Sequence, residues 1–407
     1  MNIFVVNCGS SSIKYQLFKI PSEKPICTGL VERIGLENSV ITHKVFTNDG
    51  ENVIKRTLDL PDHEAGLQEV NHLLTEPGIG VIQNTDDIDV VGHRVVHGGE
   101  TFSTTMEVTQ EVLDEIKKLA MLAPLHNLAN YQGIRVAEKI FARARQVAVF
   151  DTAFHQTLPE KAFRYAIPNS FYGDYGIRVY GFHGTSHKYV SEKAIAYLGK
   201  KESNIVTIHL GNGCSMAAVK NGRCIDTSMG LGPLDGLIMG TRCGNIDASV
   251  VFHLVEQLGY DIEQVSALLN KRSGMLGLTG FSDMRDITKA MDAGDANARL
   301  AYDMYAYRIK KFIGSYAAAL NGLDAIVFTA GVGENDALIR ELICSDLEFF
   351  GITLDTEKNK VRSGEIREIN TPEAKAKVLV VPTNEELEIV KQSVELLQGK
   401  LTSSQVH

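Results

Sequence analysis

No apolar run in the 407-residue chain approaches the roughly 18–20 residues that a membrane-spanning helix requires, so no transmembrane segment is expected. The N-terminus, MNIFVVNCGSSSIKYQ, lacks a basic leader, an apolar core and a small-residue cleavage site. It reads as a strand turning into polar residues, and no signal peptide is expected. Cysteine is scattered: Cys8, Cys27, Cys214, Cys224, Cys243 and Cys344 include no C-x-x-C pair and match no zinc spacing. Such thiols are expected to be reduced, which points to the cytoplasm. Positive charge is in deficit, with 41 Lys and Arg against 50 Asp and Glu and a net charge of −9. That balance disfavours nucleic acid and anionic membranes as partners, and it confines any polyanionic ligand to a local cationic site. Low-complexity and proline-rich segments are missing too. With 44% hydrophobic and 22% charged residues, usage is that of a globular protein, which excludes disorder and collagen-like repeats. The length predicts two to three domains.

Strand-like apolar runs at Ile3–Val6, Ile88–Val91, Val147–Phe150, Ile205–Ile208, Ala325–Thr329 and Val378–Val381 alternate with helical patterns, which predicts an α/β architecture. In Arg299–Leu320, Ile309, Phe312, Ile313, Tyr316, Ala317 and Leu320 recur at the spacing of one buried helix face. Residues 3–18 and 205–220 share a plan at an offset of 202: strand, Gly/Ser/Asn turn, second strand. Asn7 falls opposite His209, and Gly9 opposite Gly211. Two such hairpins predict two similar domains facing one cleft.

The first turn, Asn7-Cys8-Gly9-Ser10-Ser11-Ser12-Ile13-Lys14, offers close backbone approach, hydroxyls and a cation to phosphate oxygens. It is no Walker loop, because G-x-x-x-x-G-K-[ST] occurs nowhere. The second turn, His209-Leu210-Gly211-Asn212-Gly213, fits the same role. Gly331-Val332-Gly333-Glu334-Asn335 follows a strand and opens a helix, where backbone N–H groups can meet an anion or a nucleoside; Asp336 breaks the dinucleotide spacing. Arg94, in Gly92–Gly99, sits near a strand's carboxyl end, where α/β sheets bind ligands. Arg242 lies in the glycine-flanked Gly240–Gly244. A lone arginine is ordinarily a solvated surface residue, but two framed by glycines suit bidentate recognition of carboxylate and phosphate. His183 and His187 stand at i, i+4, yet Gly184 replaces the Glu of H-E-x-x-H. His183 therefore reads as a donor to developing charge, with a capped or core histidine as the alternative. Asp151 ends a strand as a catalytic, metal-orienting or purely structural acid. Thr383 and Glu386 predict a T-x-x-E capping box, and Glu385 beside them is either a helix-start acid or a Mg²⁺-linked carboxylate.

Taken together, NCGSSSIK, GHRVVHGGE, APLHN, VAVFDTAFHQTLP, YGFHGTSH, HLGNGCS, DTSMGLGPLDGLIMGTR, DMR at 283–285, GVGEN and PTNEE resemble the acetate kinase family and its close relatives, the propionate kinases, over essentially the whole chain. The resemblance implies two duplicated actin-like, ribonuclease-H-like domains of the superfamily of acetate and sugar kinases, heat-shock chaperone ATPases and actin. It implies domains at 1–151 plus 385–407 and at 152–384. The implied activity is reversible Mg²⁺-dependent in-line transfer of the ATP γ-phosphoryl group to acetate, with Mn²⁺ as a substitute metal and a homodimeric assembly. Carried over to this chain, Asn7 and Glu385 would place the metal. Ser12 and Lys14 would contact the nucleotide. Arg94 would hold the substrate carboxylate, and Val96, Leu125, Phe182 and Pro233 would line a small apolar pocket. Asp151, His183 and Arg242 would be catalytic. His209, Leu210, Gly211, Asn212, Gly213, Asp283, Met284, Arg285, Gly331, Val332, Gly333, Glu334 and Asn335 would line the nucleotide site.

A carboxylate substrate, with a pKa of roughly 4–5, is already ionised at neutral pH, so Asp151 is expected to orient the metal, a water or an arginine rather than act as a base. Three departures from the family pattern stand out: Cys243 and Asn245 in GTRCGN, Ala330 in TAGVGEN, and Cys214 in the second turn. Cys243, next to Arg242, is expected to have a lowered pKa. Three rivals are a propionate or other short-chain acid kinase, an ATP-binding chaperone or filament module, and a sugar kinase. The carboxylate clamp argues against the chaperone and filament reading, and the full motif set against a sugar kinase.

Overall fold

The computed structural model describes residues 1–48 and 50–399; the side chains of Pro124 and Leu125 lie outside the description. The chain divides into two compact units, residues 1–153 with the segment from 384 onward, and residues 154–383.

In the first unit, β1 (Asn2–Cys8), β2 (Ser12–Lys19), β3 (Pro25–Glu32), β4 (Ser39–Thr47), β5 (Gly50–Leu58), β6 (Val90–Val95), β7 (Met106–Glu107) and β8 (Arg145–Phe150) form one sheet in the order β5-β4-β3-β2-β1-β6-β8-β7. Strands β1, β6 and β8 run parallel, and the remaining neighbours pair antiparallel. β1 buries Ile3 through Val6 without alternation, as a strand covered on both faces must. β2 alternates, and its buried Ile13, Tyr15 and Leu17 share a core with Leu67, Val70, Leu73 and Leu74 of the helix His63–Thr75.

In the second unit, β9 (Asn204–Leu210), β10 (Cys214–Lys220), β11 (Arg223–Thr227), β12 (Ala325–Thr329), β13 (Arg367–Glu368) and β14 (Lys377–Val380) take the order β11-β10-β9-β12-β14-β13. This repeats β3-β2-β1-β6-β8-β7 strand for strand and sense for sense. The repeat suggested by the two hairpins thus extends through six strands of each sheet, and β4 and β5 extend only the first. The hairpin tips differ in length. Cys8 opposes Ile13, leaving residues 9–12 at the first tip, whereas Leu210 opposes Cys214, leaving only 211–213 at the second. Gly9 N–H donates to Ser12 O at 2.9 Å, and Gly211 N–H to Gly213 O at 3.0 Å.

Two expected boundaries move by three residues or more. The strand expected at 88–91 runs from Val90 to Val95, because Asn84 caps a short turn over Thr85–Asp87 and parallel pairing with β8 continues to Val95 opposite Phe150. Arg94 is therefore inside β6 rather than beyond it. The long helix begins at Ala296, where the Asp295 carboxylate accepts from the N–H groups of Asn297 and Ala298. It buries Ile309, Ile313, Tyr316, Ala317 and Leu320 and half-buries Phe312. Among the described residues no helix is long and apolar enough to cross a membrane.

Candidate active site

In the first unit the functional candidates gather where β6 and β8 end. Parallel pairing sets Arg94 opposite Val149, and Asp151 N–H donates to Val95 O at 2.9 Å, which fixes the residue just beyond β8. The Asp151 carboxylate, 1% exposed, accepts from Arg94 Nε at 2.9 Å and Nη2 at 2.5 Å through the same oxygen, Oδ2. Glu385 Oε2 stands 3.8 Å from Arg94 Nε. The Asp151 carboxylate thus engages an arginine, one of the three groups considered for it to orient. Lys14, opposite Asn7 across the first hairpin, pairs with Glu386 at 2.5 Å. Glu386 therefore does not complete the expected capping box. Asn384 caps the helix Glu385–Leu397 by accepting from Leu387 N–H, while Thr383 Oγ1 bonds to Ser186 Oγ at 2.9 Å. Val96 is buried, its N–H held by Asn130 Oδ1 at 3.0 Å. Ser12 begins β2, and the side chain of Leu125 lies outside the described residues.

Burial, partly offset by Arg94 and reinforced by Asp151 and Glu386, lifts the Glu385 carboxyl to about 7. Among the described residues no group of three or more His, Cys, Asp or Glu side chains is arranged to hold a metal ion. Mg²⁺ needs no such cage, since it is ordinarily held by one or two carboxylates together with substrate phosphates and water. A carboxylate whose ionised form is disfavoured by burial first, and then by the neighbouring Asp151 and Glu386, suits an incoming divalent cation, so the residues present fit a shared Mg²⁺ site.

In the second unit His183 caps the helix Gly184–Leu198 with a left-handed backbone, φ 57°. For a non-glycine residue this conformation stores strain of roughly 1–3 kcal/mol, as is common at functional sites. Its ring stacks on His209 with centroids 4.3 Å apart, and Nδ1 meets Ser215 Oγ at 2.8 Å. A Cβ placed on Gly213 would lie 3.3 Å from His183 Cε1 and Nε2 and 3.6 Å from Arg242 Nη1. The tip glycine thus leaves room for an imidazole and a guanidinium to converge on the hairpin. Arg242 is steadied by Nη1 donating to Pro233 O at 3.0 Å, and burial draws its pKa below the usual value. A guanidinium stays charged at neutral pH regardless. The loop carrying it docks on the hairpin through Gly240 N–H and Asn212 O at 3.0 Å, and any Cβ at Gly240 would overlap Asn212 Oδ1. Phe182 is buried, and its carbonyl accepts from His155 Nε2 at 3.0 Å.

Beside the second hairpin opens a cavity of about 1020 Å³, bounded by Gly211, Asn212, Asp283, Met284, Arg285, Gly331, Val332 and Asn335 of the expected nucleotide residues. Asp283 caps the helix Met284–Asp292 and pairs with Arg285 at 2.6 Å. Other expected residues act from behind. Leu210 is fully buried in β9, Gly333 O accepts from Arg340 Nη1, and Glu334 Oε1 accepts from the N–H groups of Ala330 and Thr383. Glu334 is thus a tie between two chain segments. Sequence reasoning missed Ser282, Thr288, Arg340, Lys360 and Arg362, which also bound the cavity. Lys360 and Arg362 belong to no glycine-rich or repeated motif, so nothing local marks them.

Two of the departures acquire physical meaning. Burial raises the Cys243 pKa, and its Sγ donates to Gly244 O at 3.1 Å, so the lowered pKa expected from the neighbouring arginine does not occur. Ala330 has φ 65°, a left-handed conformation that favours glycine. Ala330→Gly is expected to raise stability by about 0.5–1 kcal/mol once the extra chain entropy of glycine is offset, read as a higher melting temperature. An unchanged or lower value would show that the surrounding loop already relieves the strain.

The chain matches the family model described as the acetokinase family over residues 2–391. It is 58% identical over 399 residues to the acetate kinase of Flavobacterium johnsoniae, covering 98% of this chain and 100% of that one. The crystal structure of the Porphyromonas gingivalis acetate kinase superposes with a TM-score of 0.92 at 44% identity, covering 97% and 99% of the two chains. A propionate kinase from Francisella tularensis gives a TM-score of 0.90 at 42% identity, covering 96% and 98%.

Proposed function

This chain belongs to the acetokinase family and carries its duplicated actin-like fold, and from that premise we propose that it transfers the γ-phosphoryl group of ATP reversibly to acetate, giving acetyl phosphate and ADP. The observation that carries the reading is the convergence of His183 and Arg242 on Gly213, next to the cavity bounded by Asp283–Arg285 and Gly331. In the transfer, a carboxylate oxygen of acetate bonds to the γ-phosphorus as the bond to the ADP oxygen breaks. Negative charge concentrates on the equatorial oxygens, so positioning and cationic stabilisation do most of the catalytic work. Arg242 and His183 would supply that stabilisation. Arg94, steered by Asp151, would hold the acetate carboxylate, with Val96, Leu125, Phe182 and Pro233 around its methyl group. Ser12, Lys14 and the second hairpin would hold the nucleotide phosphates. Mg²⁺, or Mn²⁺ in its place, would neutralise phosphate charge when bound, with Asn7 and Glu385 as its holders. Acetate needs no base, because it is already ionised. The domains would be 1–151 with 385–407, and 152–384.

Acetate and propionate differ by one methylene, worth about 1–3 kcal/mol of discrimination. Hydroxamate trapping with Mg-ATP across acetate, propionate and butyrate is expected to give the highest kcat/KM with acetate. A higher value with propionate would move the assignment to that acid, and no acyl phosphate from any of them would end the kinase reading.

We also propose a homodimer and a cytoplasmic setting. The helix Ala248–Glu256 buries none of its residues and leaves Val250, Phe252 and Val255 exposed, a face that a second copy would cover. Six free cysteines suit a reducing compartment. Sedimentation is expected to give twice the chain mass, and Phe252→Glu to shift the species toward the monomer. A wild-type monomer would remove the proposal.

A further inference from the structure

Behind His183 runs a line of buried polar groups that the reaction as described does not use. Thr207, His187 and Ser215 are each fully buried. Thr207 Oγ1 meets His187 Nδ1 at 2.7 Å, His187 Nε2 meets Ser215 Oγ at 2.7 Å, and Ser215 Oγ meets His183 Nδ1 at 2.8 Å. We propose that Ser215 and His187 are positioning residues that hold the His183 proton on Nδ1, so that His183 can donate from Nε2 to the transferring phosphoryl group only in its cationic form. The inference rests on the reading of His183 as a donor to that group.

The direction follows from counting protons along the line. Thr207 Oγ1 also lies 3.4 Å from Ala217 O, a carbonyl that can only accept, and we place the hydroxyl proton there. Thr207 Oγ1 then accepts, so His187 carries its proton on Nδ1. Burial first, and then His155 and His209, push the His187 pKa well below 6.5, so the ring is neutral and its Nε2 is a lone pair. That lone pair accepts the Ser215 proton. Ser215 Oγ has none left to give and accepts from His183 Nδ1–H. The tautomer of a histidine is set by the hydrogen bond its other nitrogen makes. A neutral His183 therefore presents a lone pair at Nε2, which repels a phosphoryl oxygen, and protonation turns it into a donor. Among the titratable and charged groups facing the pair are His209 from β9, stacked on His183; His155, edge-on to His187 at 5.8 Å; and Arg242 at the hairpin tip.

The test uses the full chain labelled with ¹⁵N-histidine, with the His183 signals assigned from their loss in His183→Asn. At alkaline pH, where His183 is neutral, the wild type is expected to show Nδ1 protonated, and Ser215→Ala to move the proton wholly or partly to Nε2. In kinetics with Mg-ATP and acetate, Ser215→Ala is expected to lower kcat about tenfold near neutral pH, with the ATP KM within about twofold. Its activity should no longer fall at alkaline pH, because the neutral ring can now donate from Nε2. His187→Gln, which keeps a polar atom at the place of Nε2 without titrating, is expected to retain most of kcat and the alkaline fall. A wild-type His183 protonated on Nε2, or an unchanged ¹⁵N pattern in Ser215→Ala, would overturn the proposal. Wild-type kcat in His183→Asn would instead remove the catalytic reading, and the measured tautomer would show whether the relay stands without it.

Discussion

Arg242→Ala is expected to lower kcat by about 10²–10³, the scale of losing one preorganised donor to transition-state charge. The effect should fall on kcat more than on the ATP KM, because the cavity residues Asp283, Met284 and Gly331 are untouched. The loop itself is held by backbone bonds, Met239 N–H to Arg242 O and Gly240 N–H to Asn212 O, which the substitution leaves in place. Arg242→Lys should recover only part of the loss. One ammonium does not reproduce a planar fork that donates to Pro233 O while presenting further N–H groups to a phosphoryl oxygen. Wild-type kcat in the alanine variant, measured with saturating Mg-ATP and acetate, would remove Arg242 from the reaction.

Asp151→Asn is expected to cut kcat/KM for acetate by about 10², the cost of a reacting group displaced by around an ångström. Both N–H bonds from Arg94 converge on Oδ2, so the carboxylate sets the plane of the guanidinium as well as its charge. An amide keeps an acceptor but loses the charge, leaving Arg94 drawn toward Glu385. The acetate KM should carry the change while the ATP KM stays near the wild-type value. The pH–rate profile decides the role of the residue: as an orienting group it predicts that the acidic limb is the same in both proteins. A limb present in the wild type and lost in Asp151→Asn would establish Asp151 as a general base.

The parts of this site that sequence reasoning reached are those carried by short, local signals. Glycine and serine at a strand end announce a tip that can meet phosphate, and both hairpins form where expected. The Arg94–Asp151 pair was not visible as a pair, since 57 residues separate the partners and only the parallel pairing of β6 with β8 joins them. The misread signals were local rules outvoted by neighbours. The T-x-x-E pattern at Thr383 yielded to Asn384 because Glu386 found Lys14 and Thr383 found Ser186. Arg242, next to Cys243 in sequence, suggests an acidic thiol, whereas burial decides its acidity. Lys360 and Arg362 reach the cavity from a segment that bears no motif of its own.

The unequal hairpin tips change which residues of the two units are counterparts. An offset of 202 aligns Asn7 with His209 and Lys14 with Met216, but the missing tip residue shifts the returning strand. By register, Lys14 opposes Asn7, and Ser215 opposes His209. The same two positions of a duplicated part therefore hold an amide with an ammonium in one unit and an imidazole with a hydroxyl in the other. In the first copy the returning position projects a cation to a carboxylate near the surface; in the second it is sealed inside and passes a proton's orientation along. One hairpin plan thus serves as a socket for two different pairs of side chains, and one residue of tip length separates their trades.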